Sequence, residues 1–171
     1  MKLYKLLWNT HKWVGIVLAL VFINTALTGL LLLVKKKYDW IQPTMQTGAE
    51  GNVSDYITME QLFDVILSAG SEDFQSLDDI DRVDFRPGKR VHRVHSLHHY
   101  SELQIDAVTG QILSKKMRRS DLLEQIHDGS FYGGRVHDWF MPLVALGLFF
   151  LAASGLYLWL QPHLRKKTKG L

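Results

Sequence analysis

Eight histidines are the residues of this 171-residue chain best suited to chemistry. Cysteine is absent, which excludes thiolate catalysis, disulfides and Cys-held zinc or iron–sulfur centres. There is no nucleophile-elbow glycine pattern, no phosphate-cradling glycine loop and no His-Glu-x-x-His. What remains is imidazole: an axial haem ligand, a transition-metal ligand, or a group that titrates near neutral pH. His11, His127, His137 and His163 lie near the ends of long apolar stretches. His92, His95, His98 and His99 cluster mid-chain beside Arg90 and Arg93.

The apolar stretches carry an internal repeat. His11-Lys-Trp13 is followed by Thr28-Gly29-Leu30, and His137-Asp-Trp139 by Ser154-Gly155-Leu156, at the same separation; Ala26 and Ala152 also correspond. If both stretches cross a membrane, they run antiparallel and form an inverted repeat. His11 and His137 then sit at opposite edges and cannot ligate one metal within one chain. A haem at either edge needs a further ligand. For His137 that is His127, brought back across a glycine-rich break, or a histidine of a second subunit or of another membrane protein. For His11 the same-side candidate is His163. Small residues at Ala26, Gly29 and 152–155 admit a neighbouring helix or a flat macrocycle, and helix packing alone accounts for them equally well.

For the mid-chain cluster, strand geometry puts His92 and His98 on one face and His95 on the other. Transition-metal capture by His92, His95, His98 and His99 is one reading. A solvated, pH-sensitive face is the other, and no carboxylate set with metal-site spacing accompanies the cluster.

These residues need elements to position them. Val14–Val34 and Trp139–Leu160 contain no charge, and each is long enough as a helix to cross a bilayer core of about 30 Å. Trp8, Trp13, Trp40, Trp139 and Trp159 mark the boundaries as aromatic belts. The first stretch ends in Lys35-Lys36-Lys37 and lacks a small-x-small site, so it reads as a retained anchor. Between the spans, Thr58 and Gln61 form a capping box ahead of a helix over Met59–Ala69, which Gly70 stops. Strands follow over Ile80–Phe85, Arg90–Leu97, Ser101–Ala107 and Gln111–Ser114. Pro87-Gly88 makes one turn; Asp106, Thr109 and Gly110 make another. A short helix covers Asp121–Ile126.

The resulting expectation is an α+β membrane protein. Two antiparallel transmembrane helices flank a small helix-plus-antiparallel-sheet domain outside the cytoplasm. The divisions are 1–13, the N-terminus; 14–34, the first span; 35–56, a linker; 57–116, the domain; 117–138, a helix and Gly-rich connector; 139–160, the second span; and 161–171, a basic tail. All 17 acidic residues fall within 35–138, whereas both ends are basic. Positive-inside logic puts both termini in the cytoplasm. The net charge of +3 therefore reflects the tails, and nucleic acid is not an expected partner. Membrane lipid is.

At this level of detail the chain resembles the PepSY-associated transmembrane helix family. The residues that carry the resemblance are His11-Lys-Trp13-Val14-Gly15 running into Ala26–Leu30, Ile126–Gly129 with Gly133-Gly134-Arg135, and Ser154–Trp159. Gln104–Leu113 is similar to the closing hairpin of a PepSY domain. The resemblance implies a bacterial inner-membrane protein. It also implies a b-type haem held by His11, His127 and His137, in electron transfer or in iron or siderophore reduction. With two spans instead of more, a complete haem site implies a homo-oligomer or another membrane protein. Whether such a chain is itself an enzyme stays open. The alternative is a non-catalytic membrane-anchored PepSY module acting as sensor, inhibitor or assembly subunit.

Overall fold

The computed structural model describes residues 2–69 and 71–169, with side chains described as far as Pro162. Gly70 and the side chains of His163 and the basic tail lie outside the described residues. The chain divides into two compact units, Leu31–Leu123 and the paired segments Met1–Leu30 with Glu124–Leu171.

The first unit is built on a four-stranded antiparallel meander. Helix α1 (Lys2–Val34) leads into it, and helix α2 (Met59–Ser68) precedes the strands. The strands are β1 (Ile80–Arg86), β2 (Val91–Ser96), β3 (Ser101–Asp106) and β4 (Ile112–Met117), in the spatial order β1-β2-β3-β4. The expected capping box starts α2: Thr58 Oγ1 accepts from Gln61 N, and Gln61 Oε1 accepts from Thr58 N. The Asp106 turn is also as expected. Its carboxylate accepts from the amides of Val108 and Thr109, and Gly110 takes φ 71°. The β1–β2 turn is built on Pro87-Gly88, as the sequence predicts. Gly88 is not its left-handed residue; Arg90 is, at φ 53°, with its guanidinium tied to Ala49 O at 2.6 Å.

Alternation splits the sheet into two unlike faces. One packs Val94, Leu103 and Ile105 against Leu62, Ile66 and Phe74, all fully buried. His92 belongs to this face and stacks on Phe85 with ring centroids 4.8 Å apart. The other face is polar and is covered by residues 41–49, expected as linker. Gln46 N donates to Gln104 Oε1 at 2.7 Å, Ala49 N to Asp106 Oδ2 at 2.8 Å, and Gly48 N to Lys89 O at 2.8 Å. Backbone amides therefore satisfy the β3 side chains that the sheet turns away from its core. At the centre of this face lies Glu102, with no exposed side-chain surface. Its Oε2 accepts from Arg93 at 2.5 Å and Arg118 at 2.8 Å, and its Oε1 from Gln104 at 2.7 Å.

Burial lowers the pKa of His92, and neither ring nitrogen has a hydrogen-bond partner among the described residues. The unfolded chain takes up a proton near pH 6.5 that the folded chain resists. Stability therefore falls as pH drops below about 6.5 and levels off below the depressed folded value. His92→Phe is expected to flatten this slope and to raise stability by about 1 kcal/mol, because two unsatisfied nitrogens disappear. Urea midpoints at about pH 7.5 and about pH 5.5 check this; equal pH slopes in the two proteins would contradict it.

The second unit contains the long helices. Helix α3 (Arg119–Asp128) runs into it. Gly129 and Gly133 break the chain at φ 81° and 104°. A π-helical turn (Val136–Phe140) then enters helix α4 (Met141–Lys169). Gly15 lies against Leu151, and Gly147 against Leu18, so α1 and α4 run antiparallel. Lys2–Lys37 and Val136–Pro162 are both long and apolar enough to span a membrane. Most of their large side chains point outward, Leu20 at 78% exposure and Phe149 at 74%. All five tryptophans are more than half exposed. They do not fill a core, which agrees with an interfacial role.

Candidate functional site

Each long helix carries a hydroxyl residue followed by glycine, and each such pair receives a histidine. His11 Nδ1 lies 2.8 Å from Ser154 Oγ, and His127 Nδ1 lies 3.0 Å from Thr28 Oγ1. Both hydroxyls are buried. Both also bond back along their own helix: Ser154 Oγ donates to Phe150 O at 2.6 Å, and Thr28 Oγ1 to Asn24 O at 2.8 Å. A hydroxyl has one proton to give. With that proton on the carbonyl, each oxygen accepts from imidazole, so Nδ1 carries the hydrogen and Nε2 keeps its lone pair. Neither Nε2 has a hydrogen-bond partner among the described residues. A ring held by its Nδ1–H, with Nε2 open, is the form in which histidine ligates metals.

The glycines complete each seat. A Cβ on Gly29 would lie 3.2 Å from His127 Cε1, and one on Gly155 would lie 3.2 Å from His11 Cε1. A Cβ at either position would require the ring to give by a few tenths of an ångström. The sequence motif is thus a platform: hydroxyl to orient, glycine to admit the ring.

The structure re-pairs the repeat. His11 meets the Ser-Gly of the other copy, as a two-fold relation requires. Its symmetry mate by spacing, His137, does not meet Thr28; His127 takes that place. His137 lies in the π-helical turn, exposed, with Nδ1 3.1 Å from the carbonyl oxygen of Asp128. A carbonyl only accepts, so His137 too is protonated on Nδ1. Burial opposes ionisation of Asp128, but the Ser130 amide and hydroxyl, with His137 and His127 nearby, hold its carboxyl below the ordinary value. The expected folding back of His127 beside His137 is replaced by this division, in which His127 faces α1. The inverted repeat itself was visible in the spacing. The cross-pairing follows from applying its two-fold operation, and that step finds Ser154 and Thr28 as partners.

At 1.5 Å rise per residue the two seats are roughly 25 Å apart along the helices. They are separate sites. Beside the His127 seat, Asn24, Thr25, Ile126, Val136 and Met141 line a largely apolar cavity of about 240 Å³. That is below the roughly 300–1,000 Å³ of drug-sized pockets, so it covers an edge of a flat ligand and not its whole. Half-buried imidazoles with open Nε2, next to glycine and apolar walls, have the donor chemistry of axial haem ligation.

The mid-chain histidines do not converge. His92 faces the apolar core, and His95 faces the opposite side between Asp84 and Asp121, each 3.6 Å from one of its ring nitrogens. His98 and His99 occupy the β2–β3 connection, where His99 Nδ1 lies 3.1 Å from Asp73. Among the described residues no group of three or more His, Asp or Glu is placed to hold a metal ion. Strand alternation, already evident in the spacing, separates His92 from His95, and the end of β2 at Ser96 removes His98 from the sheet.

No curated protein and no solved structure matches the chain. Residues 8–170 match the PepSY-associated TM region family, a span that includes both seats, the sheet domain, helix α4 and all but the first residues of helix α1. The chain is a membrane protein and belongs to that family.

Proposed function

We propose that this protein is a b-type haem carrier of a bacterial inner membrane, acting in electron transfer, with both termini in the cytoplasm. The observation that supports it most is the pair of hydroxyl-held imidazoles, each seated on a glycine and each with Nε2 open. In this reading His11 and His127 would hold the haem, and exposed His137 would assist at the His127 edge. Haem, when bound, supplies a one-electron iron couple. The chain's own residues orient the rings: Ser154 and Thr28 fix the tautomer, and Gly155 and Gly29 leave room for close approach. The largely apolar wall beside His127 would favour a low-charge iron centre. Because the two seats are far apart, any further ligand at each would come from a second copy of the chain or from another membrane protein.

The test is a titration of haem into the full chain in detergent, followed by absorbance before and after dithionite. The expected result is a shifted Soret band with split visible bands on reduction. A spectrum unchanged from that of haem in the same detergent without protein would contradict the reading.

A further inference from the structure

Within the Leu31–Leu123 unit, a cavity of about 490 Å³ opens on the polar side of the sheet, walled in part by Lys36, Arg86, Lys89 and Arg93. Three of these cations are exposed, and the fourth is a buried guanidinium whose Nη2 is held by Glu102. The Nε of Arg93 has no surface exposed to solvent and no hydrogen-bond partner among the described residues. Gln42, on the same wall, has a buried Oε1 in the same condition.

The local acids do not neutralise the site. Glu102 is already shared by Arg93, Arg118 and Gln104, and Asp84 lies 3.4 Å from Arg86. Lys36 and Lys89 have no carboxylate partner among the described residues. Arg93 is itself one of the residues that line the cavity, and Lys36, Arg86 and Lys89 make its wall basic. An oxyanion meets that charge. Arginine and lysine together suit phosphate, with several acceptor oxygens in a tetrahedral array. Lys36 follows the apolar run ending at Val34 by two residues, which is the level at which basic side chains meet lipid headgroups.

We propose that this cavity binds a phosphate-type oxyanion, either on the headgroup of an anionic phospholipid or free in solution. The proposal is independent of the haem reading. Lys36 and Lys89 are exposed, and among the described residues their side chains make no polar contact beyond a 3.4 Å approach of Lys89 Nζ to Thr47 Oγ1, so both can be changed without threatening the fold.

The experiment is native mass spectrometry of the full chain in detergent with phosphatidylglycerol or phosphatidylcholine, paired with thermal unfolding in inorganic phosphate. The wild type is expected to retain phosphatidylglycerol about tenfold or more over phosphatidylcholine. The double variant Lys36→Gln, Lys89→Gln is expected to lose that preference. The variant Lys2→Gln, Lys5→Gln, which removes equal charge elsewhere, is expected to keep it. A phosphate-dependent rise in the unfolding midpoint, present in the wild type and absent in Lys36→Gln, Lys89→Gln, identifies a site open to the free ion. The lipid preference without that rise identifies delivery from the bilayer. Equal retention of the two lipids with no phosphate effect, or a double variant that behaves as the wild type, would overturn the proposal.

Discussion

Replacing His11 and His127 together by alanine is expected to abolish haem binding, and replacing either alone to remove about half of it. The seats are roughly 25 Å apart along antiparallel helices, too far to share one iron. Loss of one imidazole therefore empties one edge and leaves the other intact. His137→Ala is expected to have the smaller effect, because His137 is exposed and anchored only to a backbone carbonyl. Haem per chain, read from the reduced spectrum, checks this. Complete loss in either single variant would mean that the two seats are one site, against the geometry.

Glu102→Leu is expected to destabilise the sheet domain by about 3–5 kcal/mol, because one change leaves two buried cations short of their counter-charge. The side chains of Arg93 and Arg118 are only 5% and 9% exposed, and Glu102 is wholly enclosed between them. Arg118 keeps Asp121 at 2.5 Å, so Arg93 bears most of the loss. Glu102→Gln keeps the shape and part of the hydrogen bonding, and is expected to cost less. Urea-dependent trypsin resistance of the 31–123 region in the full chain measures both. If Glu102→Leu matched the wild type, the cluster would not be the keystone of the polar face. Replacing Arg93, Arg118 and Glu102 all by apolar residues is expected to recover much of the stability, since a buried ionic group is costly to strand and not to remove.

Local signals outline the fold faithfully. Thr58 and Gln61 announced the start of α2 because a capping box needs only neighbouring residues. Period-two alternation and the Asp106–Gly110 turn located the strands to within a few residues. The uncharged blocks located the spans, although the helices run past them at both sides, from Lys2 and to Lys169. What failed to show was whatever depends on contacts between distant segments. Pro43, Gly48 and Gly51 made residues 35–56 look like a linker. The amides there become a cover for the sheet only because Gln104 and Asp106 point to that side. The Glu102 cluster was hidden for the same reason, since Arg93 and Arg118 meet it from different elements.

The site was half legible. His11, Thr28, Ser154 and both glycines were visible as a spaced repeat, and His127 was visible as a candidate ligand. The exchange of His127 for His137 was not, because it turns on how Gly129 and Gly133 redirect the chain between α3 and α4. A left-handed glycine sets direction, and its effect on a side chain several residues away is not a local property.

The central claim is that Ser154 and Thr28 prepare the two imidazoles for iron, and haem affinity of the hydroxyl variants tests it most directly. Outer partners of this kind commonly govern affinity by about 10–100-fold. The account predicts a weakening of that size for Ser154→Ala and Thr28→Ala, with Ser154→Thr and Thr28→Ser close to the wild type. Unchanged affinity in both alanine variants would contradict it.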